Sequence, residues 1–322
     1  MTKVSVSALL ICFLACEPIQ AFSSLSHRIT ERGSRLFQTS SGDAIATLDA
    51  SQKSSMASIL AAIPELTAKP DLSWAPGTTQ ILGCAASLAA YDAPGQGNVA
   101  WMSDLCIDGG MSSLTIFNGP LTCVPHLLSR CTVVNGGAEL QLNLDFRPRA
   151  YGAYELVDEA GNYPGPDTLG RKAFEYSGNR KEFESKFFTD EVQAFVQDSI
   201  NSFQGARVKS DMDGLTEEEK LTMGPLAISA IMPVTAENVA AIAATREKAA
   251  SYWLGWALDS ASHQHRPGAP VNTQYVYDTK FKLNAYSALL STYSQQLSPT
   301  DGAILAAAES GPLDEAYVGG GS

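Results

Sequence analysis

Twelve residues, Ala138-Glu139-Leu140-Gln141-Leu142-Asn143-Leu144-Asp145-Phe146-Arg147-Pro148-Arg149, decide how this chain folds. Leu140, Leu142, Leu144 and Phe146 alternate with Gln141, Asn143, Asp145 and Arg147, the period-two pattern of a strand with one apolar and one polar face. Upstream, Pro94-Gly95, Gly109-Gly110, Gly119-Pro120 and Gly136-Gly137 punctuate the stretch from about Ile81 to Arg149. Turns at that frequency predict an antiparallel meander.

Outward from this middle the period changes. Between Asp43 and Leu66 the apolar residues Ile45, Leu48, Met56, Ile59, Leu60 and Ile63 recur three and four apart, so a helix is expected there until Pro64 interrupts it. Pro70, Pro76 and Gly77 then mark a loop. Tyr151 to Asn179, rich in Gly, Pro and Tyr, reads as a long loop. A helix is expected from about Arg180 to Phe203, with Phe183, Phe187, Phe188, Val192, Phe195, Val196, Ile200 and Phe203 as its buried stripe. Ser210 to Lys220 reads as an acidic surface insertion. A strand from Pro225 to Met232 precedes a helix from Thr235 to Leu258, capped by Thr235, whose aromatic end Tyr252, Trp253 and Trp256 is expected in the core. The last expected helix covers about Thr273 to Tyr293. Strands gathered in the middle and helices at both ends favour an α+β fold, with helices against an antiparallel sheet, over a doubly wound parallel sheet.

The first 42 residues read as targeting sequence. Lys3 precedes the apolar run Val4 to Cys16, and Pro18 to Ala21 ends on a small residue suited to cleavage, so residues 1–21 read as a signal peptide. Residues 22–42 carry Arg28, Arg32 and Arg35 among Ser and Thr, with Glu31 as the one acid, which reads as a transit peptide. Phe22 after the signal cut resembles the bipartite leader of algae with complex plastids, so a plastid stroma is the expected location. A single domain is expected over 43–310, and a disordered tail over 311–322.

Charge and motifs exclude several functions. The net charge is -12; residues 1–39 hold four basic and two acidic groups, so their removal leaves -14. Nucleic-acid binding is not expected of so acidic a body. Cys84, Cys106, Cys123 and Cys131, the cysteines beyond the leader, show no CxxC spacing, which argues against a zinc site, an iron-sulfur cluster or a disulfide framework. No GxGxxG, GxxxxGK[ST], HExxH or GxSxG is present, so dinucleotide, nucleotide triphosphate, zinc-protease and hydrolase readings lack a motif. His263 and His265, beside Arg266-Pro267-Gly268, read as a solvated loop rather than a metal site.

Two stretches carry a resemblance. Gly109-Gly110, Ser113-Leu114-Thr115-Ile116, Pro125-His126-Leu127-Leu128 and Leu144-Asp145-Phe146-Arg147-Pro148-Arg149 follow one another as in red chlorophyll catabolite reductases. Pro225-Leu226-Ala227-Ile228, Pro233-Val234-Thr235-Ala236 and Gly255-Trp256-Ala257-Leu258-Asp259 are similar to a later strand, turn and helix of the same family. The resemblance covers roughly residues 100 to 260. It implies an α/β/α sandwich, shared with the ferredoxin-dependent bilin reductases, that holds a linear tetrapyrrole between an antiparallel sheet and C-terminal helices. It implies no bound metal, flavin or nicotinamide, electrons from ferredoxin, and protons from carboxylates or a His. A homodimer is compatible with it.

The resemblance also nominates residues. The family's carboxylate before the Gly-Gly pair has Asp108 as its first counterpart here and Asp104 as its second. A turn residue beside Gly is the plainer role for Asp108. The family's second acid falls on an apolar residue, about Leu289, which leaves the nearby Asp278 as its substitute. His126, Asp145 and Arg149 are the expected substrate-binding residues; a core histidine and a strand-end ion pair are their plainer roles. Three functions follow: reduction of red chlorophyll catabolite, bilin reduction of another regiospecificity, or tetrapyrrole binding without catalysis.

Overall fold

The computed structural model describes residues 40–81, 83–93, 99–119, 122–147, 186–208, 224, 226–259, 286–287, 289–291, 293–294 and 298–311. The signal peptide, all but the last residues of the transit segment, the Tyr151–Asn179 loop, the Ser210–Lys220 insertion, His263, His265 and all of the tail beyond Gly311 lie outside them.

Helix α1 spans Ser41–Ala62, beginning two residues before the expected start. Ser40 explains this, since its Oγ accepts from the Asp43 N–H at 3.1 Å and also donates to the Asp43 carboxylate at 2.7 Å. One side chain thus satisfies an orphaned amide and draws an acid to the positive end of the helix. Ile63 ends the helix, and Pro64 follows.

The described residues hold nine strands: β1 (Thr67–Ala68), β2 (Trp74–Ile81), β3 (Cys84–Asp92), β4 (Val99–Ile107), β5 (Met111–Asn118), β6 (His126–Val134), β7 (Glu139–Arg147), β8 (Arg207–Val208) and β9 (Ile228–Pro233). They form one antiparallel sheet in the order β1-β3-β4-β5-β6-β7-β9-β8, with β2 also pairing β3. The expected meander is β3 to β7. Gly109, at φ 66°, makes the β4–β5 turn, and Asn135, Gly136 and Gly137 all take positive φ between β6 and β7. Pro76 and Gly77, expected in a loop, stand inside β2 instead. They sit where its register with β3 shifts between Trp74 and Thr79, at an edge where a missing N–H and a kink are tolerated.

Helix α2 (Asp190–Ser202) starts ten residues later than expected. Thr189 caps it, accepting from the Val192 N–H at 3.4 Å, and residues 180–185 lie outside the described residues. Helix α3 (Ala236–Leu258) starts behind its Thr235 cap as expected. A fourth helix, α4 (Pro299–Ser310), was not expected. Ser298 caps it as Ser40 caps α1, with Pro299 in the first turn and Asp301 at the bonded amide. Its Ala-rich run, which begins just after Gly302, carries little periodic contrast. Gly302 is needed because the Tyr293–Ser294 backbone passes 3.3 Å from where a Cβ would stand.

The sheet is a middle layer between helices. Met102, Asp104 and Cys106 of β4, Ser112 and Leu114 of β5, Ser129 and Cys131 of β6, and Leu140 to Phe146 at even numbers on β7 share one face, as their antiparallel registers require. Ile45, Leu48 and Ile59 of α1, Val192 and Val196 of α2, and Ile242 and Trp253 of α3 cover this face in the main core. Trp253 is fully buried and donates its Nε1–H to the Pro125 carbonyl at 3.1 Å. Trp256 meets Phe146 and Phe187 edge-on at 5.0 and 5.3 Å. Leu305 and Ala308 of α4 pack on the opposite face against Leu88, Leu105 and Met111. The expected α+β sandwich is therefore the observed one.

Candidate functional site

The face under α4 is where the polar residues of the meander gather. Register puts Ser103 of β4, Ser113 and Thr115 of β5, His126, Arg130 and Thr132 of β6, and Gln141, Asn143, Asp145 and Arg147 of β7 on this one side. Contacts of α4 lie over the β3–β5 end. Trp101 Nε1 and Ser103 Oγ both donate to the Ala308 carbonyl, at 3.1 and 2.6 Å, satisfying an oxygen that the helix end would leave orphaned. Farther along, Leu128, Thr132, Asn143, Arg147 and Ser229 are half-buried.

Glu309 bridges the two parts. From the last turn of α4 its Oε1 reaches Arg130 Nη2 of β6 at 2.5 Å, while its Oε2 accepts the Tyr293 hydroxyl at 2.5 Å. A carboxylate at a helix C-terminus opposes the helix dipole, and burial adds a desolvation cost. Arg130 and Tyr293 offset both. None of these three residues is marked by a motif or by the resemblance in the sequence. A lone Glu closing the apolar run Ala303 to Ala308 was the available signal, because an acid in such a run is buried only with a partner.

Among the nominated residues, the structure brings His126 and Asp145 to this face. His126 is buried beside Phe117, ring centroids 5.0 Å apart, and its Nδ1 accepts from the Asn118 N–H at 3.0 Å. In a neutral ring the other nitrogen then carries the proton. Asp145 is buried on β7. It accepts from the Gly224 N–H at 3.1 Å on both oxygens and stands 3.4 Å from Arg147 Nε. Burial pushes its carboxyl up to about 6, against the pull of Arg147 and of the Gly224 amide. Arg149 and Asp278 lie outside the described residues, and Leu289 is buried.

Asp104 and Asp108 stand elsewhere. Asp108 is exposed in the β4–β5 turn, its N–H donating to Ala85 O at 2.8 Å. The tight Gly109 turn leaves the Asp108 side chain in solvent, in keeping with the plainer role of a turn residue. Asp104 is buried, yet it points to the opposite face, toward α1 and α3. Gln52 Nε2 donates to it, Ser112 Oγ donates to Gln52 Oε1 at 3.3 Å, and Arg246 donates to Ser112 Oγ at 3.2 Å and to Ser129 Oγ at 2.9 Å. Burial pushes the Asp104 carboxyl up to about 6; Asp49 adds to the rise, while the Gln52 bond and the charges of Lys53 and Arg246 oppose it. This network joins α1, β4, β5, β6 and α3 through the core and is separated from the α4 side by the sheet.

A cleft of about 570 Å³ runs along the outer side of α4, between Leu72, Tyr286, Ala303 and Ile304. Among the described residues, its lining offers no carboxylate or cation. Among the described residues no three His, Cys, Asp or Glu side chains gather to hold a metal ion, and no helix is long and apolar enough to cross a membrane.

No family model and no curated protein matches this sequence. Among solved structures, the crystal structure of phytochromobilin synthase from tomato in complex with biliverdin matches with a TM-score of 0.52, at 13% identity, over 80% of this chain and 84% of that one. The two chains share a fold. The sandwich of helices about one large antiparallel sheet, implied by the resemblance in the sequence, is thus found in a solved structure as well as in this one.

Proposed function

We propose that this chain is an oxidoreductase that reduces an open-chain tetrapyrrole, with red chlorophyll catabolite as substrate and ferredoxin as electron donor. The observation that carries the reading is the buried acid pair Asp145 and Glu309 on the face between sheet and C-terminal helix, in a fold whose solved counterpart holds biliverdin. Reducing one double bond of the pigment takes two electrons, delivered singly from outside, and two protons. Side chains supply or relay the protons. Asp145, with its carboxyl near 6, can hold a proton close to neutral pH. His126 Nε2–H is a second donor, and Arg130, Arg147 and Arg149 are the cations for the pigment's propionates.

Glu309 also bears on the binding-only alternative. That reading leaned on a missing acid in the C-terminal segment, and Glu309 supplies one from α4. Residues 1–42 as a plastid leader would bring the chain to reduced ferredoxin. The test is anaerobic mixing of the chain from Ser40 onward with red chlorophyll catabolite, biliverdin, ferredoxin and its reductase, followed by absorption spectroscopy. Bleaching of red chlorophyll catabolite that requires ferredoxin is expected. Bleaching of biliverdin alone would move the proposal to bilin reduction, and bound pigment without turnover would leave only binding.

A further inference from the structure

Asp145 is held from outside its own strand by a backbone group. The Gly224 N–H donates to both of its oxygens at 3.1 Å, so the donor sits astride the carboxylate rather than to one side of it. Gly224 precedes β9 and lies against the last residues of β7, where a side chain has no room. A Cβ on Gly224 would stand 2.5 Å from Asp145 Oδ1 and 2.7 Å from the Phe146 carbonyl oxygen. The carboxylate could rotate away, but the carbonyl belongs to the backbone of a strand paired on both edges, so a side chain at 224 would lift the N–H off Asp145. The other groups around this carboxyl are Arg147 at 3.4 Å on β7, His126 and Arg130 in the pairs on either side of Leu128 on β6, and Glu309 of α4, bound to Arg130. Burial raises the carboxyl to about 6, and Arg147 and the Gly224 amide oppose the rise.

We propose that Gly224 is the positioning residue of the proton-donating acid: its N–H fixes the direction of the Asp145 carboxyl and grips it hardest once the proton has been given up. The inference rests on the tetrapyrrole reading above for what the proton is used for. In the ionised group the N–H is shared between two oxygens. An arriving proton takes one of them, and the amide keeps a weaker bond to the other, because a neutral acceptor is the poorer one. When the proton passes from Asp145 to the pigment, the shared bond forms again and stabilises the carboxylate left behind. The amide thereby offsets part of what burial costs the ionised form, and an acid that burial alone would keep neutral can let its proton go. Glycine is needed at 224 because only a residue without Cβ brings its N–H this close to Asp145 and Phe146 together.

The first arm of the test uses the wild-type protein and no pigment. The Gly224 amide is followed through a pH titration in a proton–nitrogen correlation spectrum. Its proton resonance is expected to move downfield as Asp145 ionises, with a midpoint near 6, and Asp145→Asn is expected to flatten the curve. An amide that does not titrate, or that titrates equally in Asp145→Asn, overturns the assignment. The second arm is the pH profile of pigment reduction. A rate that needs protonated Asp145 falls as pH rises through the carboxyl's value, and without the amide bond the carboxyl keeps its proton longer, so in Gly224→Ala the fall is expected about one pH unit higher. A lower rate at every pH with the profile in place would make Gly224 a packing residue only and overturns the proposal. If Gly224→Ala does not fold, the wild-type titration decides alone. Should the anaerobic mixing show no pigment reduced, the tetrapyrrole reading falls and Gly224 has no donor to position, whereas a flat amide titration removes Gly224 and leaves that reading standing.

Discussion

Asp104 and Asp108 lie four residues apart, and the sequence offered both for one role. Their environments separate them completely. Asp104 in the folded chain keeps its proton to about 6, whereas an Asp in an unfolded chain loses it near 3.9. Between those values the folded state binds more protons, so this group's contribution to stability falls as pH rises through the window. Asp104→Asn removes the dependence. Relative to wild type it should be most favourable above pH 6 and least favourable below pH 4, with a change of order 1–3 kcal/mol between them. Urea midpoints at pH 4 and 7.5 measure this, and a difference that does not vary with pH would mean that Asp104 carries no such proton. Asp108→Asn, in an exposed turn, should alter stability by no more than about 0.5 kcal/mol and leave pigment reduction intact, as assayed by the same denaturation and mixing experiments. Which face a strand residue takes is a matter of parity, so Asp104 could not be assigned a side until the register with β5 was known.

Helix starts were legible where a polar cap precedes an apolar run. Thr235 and α3 are the clearest case, and Asn238 in the first turn does more than its position suggests. Fully buried, it donates to the Gln204 and Pro233 carbonyls at 3.0 Å each and accepts from the Gln204 N–H at 2.8 Å. It therefore fastens the end of the α2–β8 connection to the start of α3. Asn238→Ala leaves three backbone groups without partners and should cost about 2–3 kcal/mol, read from the shift of the guanidinium midpoint at unchanged slope. Thr235→Ala removes only a cap and should cost about 1 kcal/mol in the same assay. Helix α4 went unseen for the converse reason. Its cap, Ser298 with Asp301, follows the same rule, but an alanine stretch directly behind Gly302 has no stripe to announce a buried face, and its burial comes from a sheet far away in sequence.

The two sides of the sandwich are unequal. On the α1–α3 side one cluster joins three helices to strands β4 to β9, and on the other, among the described residues, Leu305 and Ala308 meet a cluster of six further buried residues. Local opening is easiest where buried apolar contact is least. Native-state hydrogen exchange should accordingly show the amides of Leu305 to Glu309 exchanging through an opening of lower free energy than those of Leu140 to Phe146, whose carbon side chains lie in the main core. Identical opening energies for both sets would mean that α4 unfolds only with the whole molecule.

Alternation in Leu140 to Arg147, the glycine turns and the Thr235 cap are local facts, and from them the chain alone determined an antiparallel sheet with helices at both ends. Local periodicity is enough for this because it records which face of an element must leave water. Only the tertiary structure decided that His126, Arg130 and Asp145 share a face with Glu309, that Asp104 does not, and that Asp108 faces solvent. Those relations depend on strand register and on a helix more than 150 residues downstream of β7, and no window of sequence contains both partners of such a contact.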